Sequence, residues 1–125
     1  ISTPEKALQV LQYTGADAIM IGRTARGNPW IFSQINHFLA TGRQLPAPAI
    51  AEVREVLLNH LHELYDFYGD YTGVRTARKH IAWYSKGFFR SNAFRKEIMQ
   101  VESAAQQYAM VDDFLSMAEA RDVAA

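Results

Sequence analysis

One short apolar run sets the strongest limit on how this chain can fold. Asp17-Ala18-Ile19-Met20-Ile21 is bounded by turn signals, Gly15 before it and Gly22-Arg23 after it, the pattern of a strand buried on both faces. Helical patterns stand on either side, which makes one α–β–α unit of a parallel α/β domain. A parallel strand needs neighbours for its backbone N–H and C=O groups, and no second strand pattern occurs in the 125 residues. The first residue is Ile1 rather than Met. The chain is therefore expected to be the C-terminal piece of a larger protein, cut inside an α/β domain. The orphan strand should pair with the same segment of a second copy, giving a dimer, or else be displaced or disordered.

The remaining elements follow from local signals. Thr3 is placed to cap a helix that opens at Pro4 and ends at Gly15. Pro29 opens a second helix, with Trp30, Ile31, Ile35, Phe38 and Leu39 at helical spacing and Gly42 as its stop. Residues 43–49, with Pro46 and Pro48, read as a linker. Beyond it the spacing predicts four helices. The first runs from Ile50 to Tyr68, with Phe67 among its inward residues, and Gly69 ends it. The second spans Gly73 to Lys86 and stops at Gly87. A third is capped by Ser91 and reaches about Gln100. The last opens at Ser103, where Gln106 completes a capping box. Short connections between four amphipathic helices favour an antiparallel bundle. The expected fold is thus mainly α: an α–β–α remnant over 1–42, a linker over 43–49 and a four-helix bundle over 50–125.

Charge is segregated along the chain although the formal net charge is zero. Five acids and one base lie between Glu52 and Asp70, and six acids and one base between Glu97 and the end. Between them, residues 71–96 hold seven bases and no acid: Arg75, Arg78, Lys79, Lys86, Arg90, Arg95 and Lys96. At 100° per residue Arg75, Arg78, Lys79 and Lys86 share one face, opposite Val74, Ala77, Ile81, Tyr84 and Phe88. A line of cations about 16 Å long, at 1.5 Å per residue, suits a nucleic-acid backbone better than one small anion. His80 and Trp83 flank that line, placed to stack on a base or meet a sugar. The plainer alternative is a solvated face, or cations paired with the acidic helices on either side.

The turn at Ile21-Gly22-Arg23 is the other candidate site. Glycine after a strand admits close approach by a ligand, and the N–H groups that follow suit a phosphate, with Arg23 adding charge. Loops after the last strands of (β/α)₈ barrels often form such sites. The alternative is a tight βα turn followed by a surface arginine. The chain has no cysteine, which removes disulfides, zinc–thiolate sites and thiol nucleophiles. His37, His60 and His62 have no metal-ligand spacing, and no apolar run approaches the ~20 residues of a membrane span.

Three blocks in this order, GADAIMIGRTARGNPWIF, LHELYDFYG and VRTARKHIAWY, resemble the C-terminal portion of bacterial tRNA-dihydrouridine synthases, with the B-type subfamily nearest. The block from Arg75 to Tyr84 is the most specific of them. The resemblance implies an FMN-binding (β/α)₈ barrel followed by a helical domain that grips tRNA. It implies reduction of the uridine C5=C6 bond, with a hydride from the flavin to C6, a proton from a barrel cysteine to C5, and NADPH recharging the flavin. Gly22 and Arg23 match the FMN-phosphate motif. Arg78, Lys79 and His80 match the block that faces tRNA, and Arg75, Lys86 and Arg90 extend its basic field. The catalytic cysteine would lie before Ile1, so this chain alone is expected to be inactive and to bind no cofactor. A cytoplasmic location is expected. Two other readings are a non-catalytic helical protein-interaction domain and the C-terminal part of another flavin-dependent barrel oxidoreductase.

Overall fold

The computed structural model describes residues 1–124, which divide into two compact units, one spanning Ile1–Ala47 and the other beginning at Pro48. In the first unit, α1 (Pro4–Thr14) begins where Thr3 Oγ1 accepts the Lys6 N–H at 3.1 Å and ends at Gly15 in the left-handed conformation. A short 3₁₀ turn spans Arg23–Ala25, and α2 (Ile31–Thr41) ends on Gly42, again left-handed. Both stops are the positive-φ ends that glycine adopts without a Cβ penalty.

The expected strand is not formed. Residues 15–22 have no regular structure, and no strand occurs among the described residues. The α–β–α remnant is therefore two helices and an irregular connection. The physical reason is the one that made the strand conspicuous: within this unit its backbone has no ladder to join. Its side chains keep a partial alternation. Ile19 and Ile21 pack against the buried cluster of Ala7, Ile31 and Ile35, whereas Met20 between them is 89% exposed. The segment thus buries one face, not two.

The second unit is helical throughout. Its longest element, α3 (Ile50–Ser85), is broken at Gly69, whose φ of 78° and ψ of 171° lie in a region essentially reserved for glycine. The break makes two limbs, 50–68 and 70–85, and the limbs fold back on one another. His60 lies 4.7 Å from His80 between ring centroids and 6.0 Å from Tyr84. Close to the turn the backbones nearly touch, since a Cβ built on Gly73 would stand 2.9 Å from the Leu64 carbonyl oxygen.

Two further helices complete the unit, α4 (Ser91–Ile98) and α5 (Ala104–Ala124). Arg90, with φ of 61°, takes the position ahead of α4 that the sequence assigns to Ser91, and no side chain caps that end. Ser103 does cap α5, accepting the Gln106 N–H at 3.3 Å. Leu57, Leu61, Val74, Ala77, Ile81, Ile98, Val111 and Leu115 form the core, each at most 1% exposed. Burying a side chain of the larger aliphatic kind contributes roughly 1.5–3 kcal/mol. Phe67 departs from its expected inward place and is 81% exposed. It belongs to the last turn of the first limb, beyond the point where the second limb crosses at Gly73. No helix among the described residues is long and apolar enough to cross a membrane.

Gln107 and Ser85 are the buried polar side chains among the described residues. Gln107 is fully buried, and its amide donates to the Val74 carbonyl at 3.0 Å while its oxygen accepts from the Tyr65 hydroxyl at 2.5 Å. The side chain therefore ties α5 to both limbs of α3. Nearer the surface, Arg54 and Asp112 form an ion pair at 2.6 Å across the same helices. With both side chains about a third exposed, that pair adds at most a modest increment.

Candidate RNA interface on the second limb

The second limb of α3 begins right after Gly69, so Tyr71 is a helical residue rather than part of a turn. That places Tyr71, Arg75, Lys79 and Trp83 at intervals of four, one above another on a single helix face. Together with Thr72, Thr76 and His80 they line a shallow groove of about 410 Å³ that carries no carboxylate. The Arg75 guanidinium lies 3.6 Å from the centroid of the Tyr71 ring and donates to the Tyr71 carbonyl at 3.0 Å. Lys79 is exposed. Asp70, the acid nearest in sequence, acts on another side chain: together with burial, which is the larger cause, it raises the Tyr65 phenol.

Sequence spacing alone does not single out Tyr71. The signal is present in the repeat Tyr-x₃-Arg-x₃-Lys-x₃-Trp, but a helix opening at Gly73 leaves its first member outside the helix.

Arg78 takes a different place from its neighbours. It is half-buried, and its Nη2 donates to the Val101 carbonyl at 2.9 Å, which ties the second limb to the connection between α4 and α5. Its Nε is buried without a hydrogen-bond partner. The expectation that Arg78 shares one open cationic face with Arg75, Lys79 and Lys86 is thus corrected, because a carbonyl 23 residues away competes for its guanidinium. Lys86 lies just past the last turn of α3 and is exposed. Arg90 is exposed on the far side of Gly87, near Phe89, and lines a separate groove between α4 and α5 that Glu97, Asp113 and Arg121 share. The structure therefore brings Arg75, Lys79 and His80 together and leaves Arg78, Lys86 and Arg90 outside the strip.

His80 is held between rings, 4.7 Å from His60 and 5.3 Å edge-on from Trp83. Burial, and secondarily His60, lower its pKa below the ordinary 6.5. The unfolded chain therefore takes up this proton first as pH falls. The stability that depends on neutral His80 is whole above about pH 6.5 and is lost as pH drops below it. Urea unfolding at pH 7.5 and pH 5.5 should show this loss, and the His80→Gln variant should show a smaller one. Equal losses in the two proteins would contradict the assignment.

In the other unit, Gly22 stands at the head of the 3₁₀ turn with open space where a Cβ would be, and Arg23 is exposed. The pair is accessible and carries a cation, with Arg26 Nε donating to the Arg23 carbonyl at 3.3 Å beside it. No group of three or more potential metal ligands occurs among the described residues.

A family model described as dihydrouridine synthase matches residues 1–119. The chain is 52% identical over 114 residues to a protein named tRNA-dihydrouridine synthase B from Xanthomonas axonopodis pv. citri, covering 91% of this chain and 34% of that one. It is 53% identical over 112 residues to the protein of the same name from Shewanella oneidensis, covering 90% and 34%. Against that from Vibrio cholerae it is 50% identical over 107 residues, covering 86% and 33%. The chain thus spans about a third of the length of the curated relatives it matches.

Proposed function

This chain belongs to the dihydrouridine synthase family, and from that premise we propose that it supplies the RNA grip of a B-type tRNA-dihydrouridine synthase. The parent activity in this reading is reduction of uridine to 5,6-dihydrouridine in tRNA, with FMN as the bound cofactor and NADPH as reductant. When bound, FMN supplies the hydride. The residues of this chain that would meet it are Gly22 and Arg23, at its phosphate end. Their open turn, with Arg26 donating to the Arg23 carbonyl at 3.3 Å beside them, suits an anionic phosphate end. The chain has no cysteine, so the acid that delivers the proton to C5 is not among its residues. By itself it turns over no uridine.

The observation that carries the reading is the strip from Tyr71 to Trp83. Arg75 and Lys79 sit on a face without carboxylates, between aromatic rings, inside a segment that has no acid from residue 71 to residue 96. Cations placed so neutralise backbone phosphates, and the rings meet bases or sugars. The division of labour that follows is spatial: the second unit holds the substrate, and the first touches the cofactor's phosphate. The test is filter binding of an unmodified tRNA transcript to the 125-residue chain in 50 mM and 200 mM salt. Tight binding at the lower salt that weakens steeply at the higher supports the assignment. No binding at either would refute it.

A further inference from the structure

We propose that the strip on the second limb takes unstacked, single-stranded nucleotides, with one base on the Tyr71 ring, and does not dock a closed duplex. The inference rests on the RNA-binding reading above and specifies the form of RNA. It comes from the way Tyr71 is presented. The ring is 72% exposed, yet one of its faces is covered by the Arg75 guanidinium at 3.6 Å. A cation against one face favours this orientation of the ring and leaves the other face as a flat apolar platform in water. An exposed ring with one face open is what a base needs in order to stack.

The rest of the strip continues the same logic. Arg75 and Lys79 rise along the helix roughly 6 Å apart, and Trp83 stands about 18 Å from Tyr71. Trp83 is itself braced by the edge of His80 at 5.3 Å. A single strand laid along this face meets a ring, two cations and a second ring in turn, with the Thr72 and Thr76 hydroxyls beside them for 2′-OH groups. A duplex offers no such match. Its bases are already stacked on one another and its phosphates run in two rows, whereas these cations form one line on one helix. The groove contains no carboxylate to repel a strand lying in it.

The experiment compares binding of a 12-nucleotide oligouridine and a blunt 12-base-pair RNA duplex to the 125-residue chain, its Tyr71→Ala variant and its Tyr71→Phe variant. The wild-type chain should prefer the single strand. Tyr71→Ala should weaken single-strand binding roughly 5- to 150-fold, the range of one lost base–aromatic stack. Its salt dependence should not change, because no phosphate contact is removed. Tyr71→Phe keeps the ring and should bind like wild type. Circular dichroism of each variant serves as the check that the helices are intact. Equal or tighter duplex binding, or a Tyr71→Ala loss of the same size on the duplex, overturns this proposal and leaves the RNA-binding reading standing. Failure of the wild-type chain to bind either RNA, or tRNA, overturns that reading and this proposal with it.

Discussion

Gly73→Ala should destabilise the second unit, although the same exchange in an open helix would stabilise it. In a free helix alanine gains about 1 kcal/mol over glycine. Here the added methyl would stand 2.9 Å from the Leu64 carbonyl oxygen and 3.1 Å from the Tyr65 Cα, and both are backbone atoms that no rotamer change can move. The limbs must separate, and forcing an extra carbon into a packed contact typically costs about 1–3 kcal/mol. Separation also strains the Tyr65–Gln107–Val74 network, which spans both limbs and fixes α5 against them. Set against the helix gain, the expected net result is a loss of up to about 2 kcal/mol for alanine and more for Gly73→Val. Thermal melting followed by helicity reads it, at roughly 4–8 °C per kcal/mol for a domain of this size. A melting temperature that is unchanged or raised would show that the limbs do not meet at Gly73.

The second large effect concerns binding rather than stability. Replacing Arg75 and Lys79 together by Glu should lower tRNA affinity on the order of 100-fold at moderate salt, taking each lost phosphate contact as about tenfold. The slope of log affinity against log salt should flatten by about two units, one per contact. Helicity and melting should stay near wild type, since Lys79 is exposed and Arg75 is only partly covered. Arg78→Leu separates the two roles within the same block. Its guanidinium holds the Val101 carbonyl, so its loss should cost about 1–3 kcal/mol of stability. The salt slope should be unchanged. If Arg78→Leu flattens the slope and the double variant does not, the strip has been placed on the wrong residues.

These contrasts also show which parts of the molecule are legible in its sequence. Local signals hold wherever the deciding physics is local. Thr3 caps α1, Gly15 and Gly42 end their helices in the left-handed conformation, and Gly69 breaks the long helix where a glycine stop is expected. The buried pair Phe94 and Ile98 follows from helical spacing alone, whereas Val101 is buried three residues past the end of α4. What depends on distant partners is not legible in this way. Residues 17–21 have the composition of a strand, but a ladder requires a second strand and none is formed. Phe67 has the spacing of a core residue, yet the crossing at Gly73 leaves its turn uncovered. Arg78 shares the phase of Lys79 and is drawn away by a carbonyl that no local pattern reveals. Tyr71 enters the strip only because the second limb starts directly after Gly69, where two turn residues more would have put it in a loop.

The account's central claim is that RNA lies along the second limb of α3. Titrating the isotopically labelled 125-residue chain with an unmodified tRNA transcript, and following its amide and side-chain NMR signals, tests that claim most directly. The prediction is that signals of Tyr71, Arg75, Lys79 and Trp83 move together and saturate together, while those of Glu97, Asp113 and Arg121 in the groove between α4 and α5 stay in place. Movement confined to that other groove, with the strip unaffected, would contradict it.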